Sequence, residues 1–248
     1  MNACDLVLYT DMDGTALSDW ERGPYVPELS LRLLRRFTEE GGLFAVASGR
    51  QEPEISRFFQ GIPMGAPLVC GNGSVIFDSV RRQVLRRIDL PRIYQEQCVD
   101  YFLSHRDVWI VVGDERGVYQ VSSGDPEKDA GLTDWKRPFI SGEEFLSRPF
   151  VKVVYIAAEG VDMERLKAEV SALPGGELVA GAQSGPWYYE MMKRGVSKAE
   201  GIRWARKTAG LEDRTLVCIG DYFNDLAMLQ AADIAACPSN AADGIKAI

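Results

Sequence analysis

The sequence predicts an α/β protein whose parallel-sheet core comes in two pieces, with an α+β domain inserted between them. Three observations carry this. Short apolar runs alternate with helical stretches over the first 80 residues; the rhythm then breaks for about 100 residues; and it resumes near Trp187. In chain order, residues 6–10 form a buried-strand run, and residues 27–40 place Leu29, Leu33, Leu34 and Phe37 at helical spacing before stopping at Gly41-Gly42. Residues 43–47 are a second apolar run, which completes a βαβ unit. A helix is expected over 52–60, a strand over 67–70, and a hairpin from 75–77 through Asp78-Ser79 to 84–85. The middle reads as a helix over 93–103, paired strands at 108–112 and 118–121, a polar stretch over 122–137, a strand at 151–157, a helix at 162–173 and a strand at 178–182. The core returns with a helix over 197–209, a strand at 216–219, a helix at 224–231 and a strand at 234–237. The expected division is 1–81 and 186–248 for the core and 82–185 for the insertion.

Composition bounds the function. The 248 residues carry 28 Lys plus Arg against 36 Asp plus Glu, a net charge of −8, which disfavours a broad polyanion-binding face and with it nucleic acid as a partner. A small anion held in a deep site stays open. The five cysteines, Cys4, Cys70, Cys98, Cys218 and Cys237, are scattered without a C-x-x-C and are expected to be reduced core residues. His105, the single histidine, lies in the polar stretch Ser104 to Asp107 and reads as a helix-end surface residue rather than a catalytic base. No apolar run approaches the ~20 residues of a membrane span, so a cytoplasmic location and no membrane partner are expected.

The chemistry concentrates at strand ends. Asp11-Met12-Asp13-Gly14-Thr15 directly follows the first strand, on the side of a parallel sheet where ligands bind. Asp11 and Asp13 face one crevice, and Gly14 permits a sharp turn. A second acidic group, Gly220-Asp221-Tyr222-Phe223-Asn224-Asp225, follows a late strand; Asn224 or Asp225 suits a helix cap, whereas Asp221 does not. If the two strands are neighbours, Asp11, Asp13 and Asp221 form an all-oxygen site suited to Mg²⁺. Ser48-Gly49-Arg50 ends another strand and offers a hydroxyl and an open backbone amide to an anion. Ser197-Lys198-Ala199-Glu200 reads as a capping box, which puts Lys198 at the positive end of a helix, where it needs an anion.

Together these four segments, with Asn72-Gly73, resemble the haloacid dehalogenase superfamily, specifically its Cof-type phosphatases of subfamily IIB. The resemblance runs in order along nearly the whole chain and implies a Rossmann-like core with an inserted α+β type IIB cap. It implies an Mg²⁺-dependent phosphatase acting on a small phosphorylated metabolite, a sugar phosphate first of all. Asp11 would attack phosphorus, and Asp13 would protonate the leaving alkoxide and later activate water. Ser48, Gly49, Arg50, Asn72, Lys198 and Asn224 would contact phosphate or substrate. Asp11, Asp13 (through its backbone carbonyl) and Asp221 would hold the metal, with Asp225 and Thr15 behind them. Three departures stand out: Ser48 where Thr is commoner, Ser74 where Ala is usual, and an end at Ile248 short of the usual final segment. Trp109, Tyr119, Trp135, Lys136 and Arg137 are candidates for reading the substrate, and each reads equally as cap core or surface. A phosphosugar mutase on the same scaffold, or a silent phosphometabolite-binding protein, is the alternative. The expected state is a monomer or weak homo-oligomer.

Overall fold

A computed structural model describes residues 2–18, 23–132 and 137–248. Trp135 and Lys136 lie outside the described residues. The chain divides into two compact units, Met1–Arg87 with Ser197–Ile248, and Ile88–Val196.

The first piece of the core runs β1 (Leu6–Thr10), α1 (Glu28–Glu39), β2 (Leu43–Val46), α2 (Glu52–Ser56), β3 (Leu68–Cys70), β4 (Val75–Asp78) and β5 (Gln83–Arg87). α1 starts and stops where the turn residues said it would, following Pro27 and ending at Glu39 with Glu40 as its cap, before Gly41-Gly42, whereas α2, expected over 52–60, ends at Ser56. The hairpin β4–β5 pairs antiparallel and joins β3 in a three-stranded sheet, so β5 belongs to the core, which runs to Arg87 and past the expected border at 81.

The inserted unit contains α3 (Arg92–Ser104), β6 (Val108–Asp114), β7 (Gly117–Val121), α4 (Pro126–Ala130), β8 (Phe139–Ile140), α5 (Gly142–Ser147), β9 (Lys152–Ala157), α6 (Met163–Ser171), β10 (Val179–Gly185) and β11 (Tyr188–Lys193). These strands form one six-stranded sheet in the order β10-β11-β9-β6-β7-β8. Ile110, Val112, Val153 and Tyr155 point to one face and pack on Tyr94, Cys98 and Phe102 of α3 and on Leu166 and Val170 of α6. Val111, Val154 and Ile156 point to the other face and meet Leu132 and Trp109. The core rhythm, expected from Trp187, resumes only at Ser197, because β11 pairs antiparallel with β9 over Tyr188 to Met192 and is held by the insertion's sheet. The polar stretch 122–137, read from sequence without elements, contains α4, whose start is capped by the Asp125 carboxylate.

The second core piece is α7 (Lys198–Ala209), β12 (Thr215–Ile219), α8 (Leu226–Gln230), β13 (Ile234–Ala236) and α9 (Asp243–Lys246). The core sheet is parallel with the order β13-β12-β1-β2. Cys70, Cys98 and Cys218 are buried as expected, whereas Cys4, in the turn before β1, and Cys237, just after the exposed strand β13, are exposed. Among the described residues no helix is long and apolar enough to cross a membrane.

Candidate active site

Register sets the site. Thr10 lies level with Ile219 on one side and with Val46 on the other, so β1, β12 and β2 end in one row. The ladder continues one step further, Asp11 N–H donating to Ile219 O at 2.8 Å and Ala47 N–H to Thr10 O at 2.9 Å. The residues that leave this row, Asp11, Asp221 and Ser48, therefore emerge side by side at the carboxyl end of the sheet.

Asp11 is buried, and Lys198 Nζ donates to its Oδ1 at 2.6 Å. The same ammonium donates to Asp225 Oδ1 at 2.6 Å, and Lys198 is only 1% exposed. Ser197 does cap α7, its hydroxyl accepting from Glu200 N–H at 3.2 Å, so a lysine stands on the first helical residue. A cation is disfavoured there by the helix dipole, and two carboxylates answer it. Burial alone would depress the Lys198 ammonium, but Asp11 and Asp225 more than reverse that and hold it above its ordinary value. Burial pushes the Asp11 carboxyl up to about 7, against the pull of Lys198 and with the added push of Asp225 and Asp13. Asp221 is also raised, by burial first, while the hydrogen bond from Thr15 opposes the rise.

Asp225 begins α8 without capping it. Its Oδ2 accepts from the backbone N–H groups of Asp221 at 2.9 Å and Tyr222 at 3.2 Å, which winds the acidic loop tight. The helix-cap reading of this residue gives way to that geometry. Thr15 Oγ1 donates to Asp221 Oδ1 at 2.5 Å. Between them the chain turns at Gly14, where φ is +83° and a Cβ would sit 2.4 Å from Asp221 Oδ2, so only glycine satisfies both the conformation and the space.

Carboxylate oxygens of Asp11, Asp221 and Asp225 lie within 4.8 Å of one another. Both oxygens of Asp225 already accept hydrogen bonds, whereas Asp11 and Asp221 each accept theirs through Oδ1. The side chain of Asp13 is not in this group. Arg50 takes it in a fork, Nη2 donating to Oδ1 at 2.7 Å and Nε to Oδ2 at 2.9 Å. Arg50 in turn lies over the Phe58 ring and 3.5 Å from Glu54. Arg50, expected to contact substrate, is joined to Asp13 by this arginine–carboxylate fork.

The Ser48 hydroxyl is buried and accepts from Arg50 N–H at 3.2 Å, and the Ser48 carbonyl accepts from Asn72 N–H at 2.8 Å. Asn72 has φ +54°, and Gly49 lies against its side chain, so a Cβ on Gly49 would come 3.3 Å from the Asn72 amide. At Gly73 a Cβ would lie 2.2 Å from Ser197 O, which brings this loop onto the start of α7 and lines Asn72 up beside Lys198's helix. Asn224 is half-buried in the acidic loop. Sequence reading passed over its neighbours Tyr222 and Phe223, whose rings meet edge to face at 5.4 Å, with Phe223 55% exposed. The available signal was two aromatic residues between two acidic ones.

Of the insertion's candidates, Tyr119 packs against Phe150 and Trp109 donates through Nε1 to Lys128 O at 2.7 Å, both within their own unit. His105 caps the end of α3 and stacks on Tyr101 at 4.0 Å.

The family described as haloacid dehalogenase-like hydrolase matches residues 8–248. Pyridoxal phosphate phosphatase YbhA of Escherichia coli K12 is 25% identical over 97% of this chain and 90% of its own. 5-Amino-6-(5-phospho-D-ribitylamino)uracil phosphatase YbjI of the same organism is 25% identical over 97% and 88%. A solved sugar phosphatase of HAD subclass IIB superposes with a TM-score of 0.80 at 19% identity, covering 97% of this chain and 90% of that one.

Proposed function

The chain belongs to the haloacid dehalogenase-like hydrolases, a phosphatase of small phosphorylated metabolites, and from that premise we propose that it works through an aspartyl phosphate on Asp11 with a sugar phosphate as its first substrate class. The observation that carries this reading is the pair of 2.6 Å hydrogen bonds from Lys198 to Asp11 and Asp225 in a site where carboxylates outnumber the ammonium.

The donor set fits a hard divalent cation: oxygen ligands only, carboxylates crowded within 4.8 Å, and an Asp11 carboxyl held up near 7 by burial and by its neighbours. Asp11, Asp221 and the backbone carbonyl of Asp13 would hold Mg²⁺, which supplies neutralisation of the phosphate oxygens when bound.

The protein's own groups do the rest. A carboxylate oxygen of Asp11 forms the new P–O bond, the P–O bond to the leaving group breaks, and Asp13 delivers a proton to the departing alkoxide. Water then attacks phosphorus, Asp13 takes its proton, and phosphate leaves with Asp11 restored. The Arg50 fork positions the Asp13 carboxylate, and the side chain leaves the fork to reach the leaving group. Ser48, the Gly49 amide, Asn72 and Asn224 orient the phosphate. Lys198 balances Asp11 and the incoming charge, and Asp225 and Thr15 hold Lys198 and Asp221 in place. The core, residues 1–87 and 197–248, is assigned the chemistry, and the insertion, residues 88–196, the choice of substrate.

The test is phosphate release with Mg²⁺ over a panel of sugar phosphates, nucleotides and cofactor phosphates, with Asp13→Asn run beside the wild type. Asp13→Asn is expected to slow alkyl esters more than aryl esters, whose leaving groups need less protonation. Equal slowing removes the acid role from Asp13; isomer formation without phosphate release points to a mutase.

A further inference from the structure

The seam between the helices that follow Ser197 and Asp225 holds a cavity that the mechanism leaves unused. α7 and α8 pack on one another, and the cavity beside them has a volume of about 300 Å³, at the lower end of the range for ligand-binding cavities. From α7 it is lined by Ala199, Ile202, Arg203 and Arg206, which recur at helical spacing and so share one stripe of the helix. From the other side come Met228 of α8 and its capping residue Ala231, with Leu216 of β12. Ile202, Leu216 and Met228 are buried, so the interior is apolar, and the two alanines leave space that longer side chains would fill.

The charged residues of the lining differ from one another. Arg203 is exposed and pairs with Glu200 on its own helix, and Glu212 is exposed to water. Arg206 is half-buried, and among the described residues its guanidinium pairs with no carboxylate. Its partners are neutral carbonyls: Nε donates to Leu211 O at 3.3 Å, and Nη2 to Glu212 O at 2.9 Å and to Arg214 O at 2.6 Å. These bonds hold the guanidinium in place. A fixed, half-buried cation without a counter-ion, beside an apolar cavity, is the complement of an anion that carries a hydrocarbon tail.

We propose that this cavity is an effector site for a small amphipathic carboxylate, its tail among Ile202, Leu216 and Met228 and its head on Arg206, and that its occupancy tightens phosphate binding beside Lys198. The coupling follows from the shared helices. Lys198 is the first residue of α7 and Asp225 stands directly before α8, so the 2.6 Å bond between them joins the same two helices that line the cavity. A ligand touching both helices adds packing to their present arrangement. Whatever preference for that arrangement one site supplies is felt equally at the other.

Octanoate is the probe, with octan-1-ol lacking the charge and acetate lacking the tail, and inorganic phosphate with Mg²⁺ reports on the catalytic crevice. Calorimetry on the full chain is expected to show octanoate binding at least about ten-fold more tightly than octanol or acetate. Phosphate is expected to tighten octanoate about five-fold, and octanoate to tighten phosphate by the same factor. Ala231→Leu, which puts a longer side chain into the cavity, should abolish octanoate binding and the coupling while phosphate still binds. Arg206→Met should bring octanoate down to the level of octanol; since that variant also loses three carbonyl bonds, the octanoate-to-octanol ratio in the unaltered protein reads the head contact without it. Octanoate no tighter than octanol, binding unmoved by Ala231→Leu, or binding that leaves phosphate affinity unchanged overturns the proposal. So does mutual weakening, which places octanoate in the phosphate crevice itself. Phosphate that fails to bind while octanoate binds overturns the reading of the crevice and the effector role with it.

Discussion

Lys198 in the core and Lys152 in the insertion are buried almost equally, at 1% and 5% exposure, yet their settings differ in kind. Lys152 Nζ lies 3.0 Å from Glu190 Oε2 across the β9–β11 pairing, a charge met by an opposite charge on the neighbouring strand. Lys198 sits among Asp11, Asp225 and, through the loop, Asp221, so that negative charge exceeds positive, and Asp11 is driven up to about 7 by burial first and by Asp225 and Asp13 after it. Balanced burial is a structural solution, because each ion's desolvation is offset by its partner. Unbalanced burial is a standing cost that an added cation removes, and strongly shifted groups of this kind cluster at functional sites.

The largest expected effect comes from removing the nucleophile. Asp11→Asn should lower turnover by at least about 10⁴-fold, and retained activity above a few per cent would sink the aspartyl-phosphate route. The same variant sharpens the comparison through stability. A carboxyl whose folded pKa lies near 7 against an ordinary 3.8 makes the folded chain bind its proton more tightly, so stability falls as pH rises between those values. Without divalent cations Asp11→Asn should then melt above the wild type at pH 8 by a few degrees, on the order of 2–4 °C per kcal/mol relieved, and the gap should close at pH 4. A wild type that melts higher at pH 8 would mean that the charge is balanced after all.

Chelation is next. Excess EDTA should abolish hydrolysis of an aryl phosphate and Mg²⁺ should restore it, since the crowded carboxylates need a cation; undiminished turnover in EDTA breaks the charge-imbalance argument. Lys198→Ala should both raise KM and lower kcat, and should cost about 3–5 kcal/mol of folding stability, the usual range for leaving a buried partner unpaired. An unchanged melting point would make Lys198 an ornament of the site.

The smallest effect is expected in the insertion. Glu190→Leu or Lys152→Met alone should destabilise, but the two together should leave folding stability within about 1 kcal/mol of the wild type or raise it, as replaced ion pairs often do. Double-mutant-cycle melts decide this. A double variant as unstable as the sum of the singles would give the pair a role that charge balance does not explain.

Much of this protein was settled by short-range chemistry. The strand runs, the helix over Lys198–Ala209 with its Ser197 cap, the turn at Gly14 and the acidic loops after β1 and β12 are all written within a few residues of where they act, since hydrophobic period and turn residues are local signals. So is the two-piece core, whose interruption is a change of rhythm. What tertiary structure decided are the partnerships between distant positions. Lys198 reaches Asp11 across 187 positions, and Arg50 is committed to Asp13 across 37, a choice between carboxylate and phosphate that no spacing records. The strand Tyr188–Lys193 reads alike for either unit, and only pairing with β9 assigns it to the insertion. Asp225 has the sequence of a helix cap and becomes a brace for Lys198 because the packing of α8 against α7 brings them within 2.6 Å. A side chain's type and its local backbone are written in the sequence; which opposite charge it meets depends on how strands align in space, and alignment is fixed by the packing of the whole sheet.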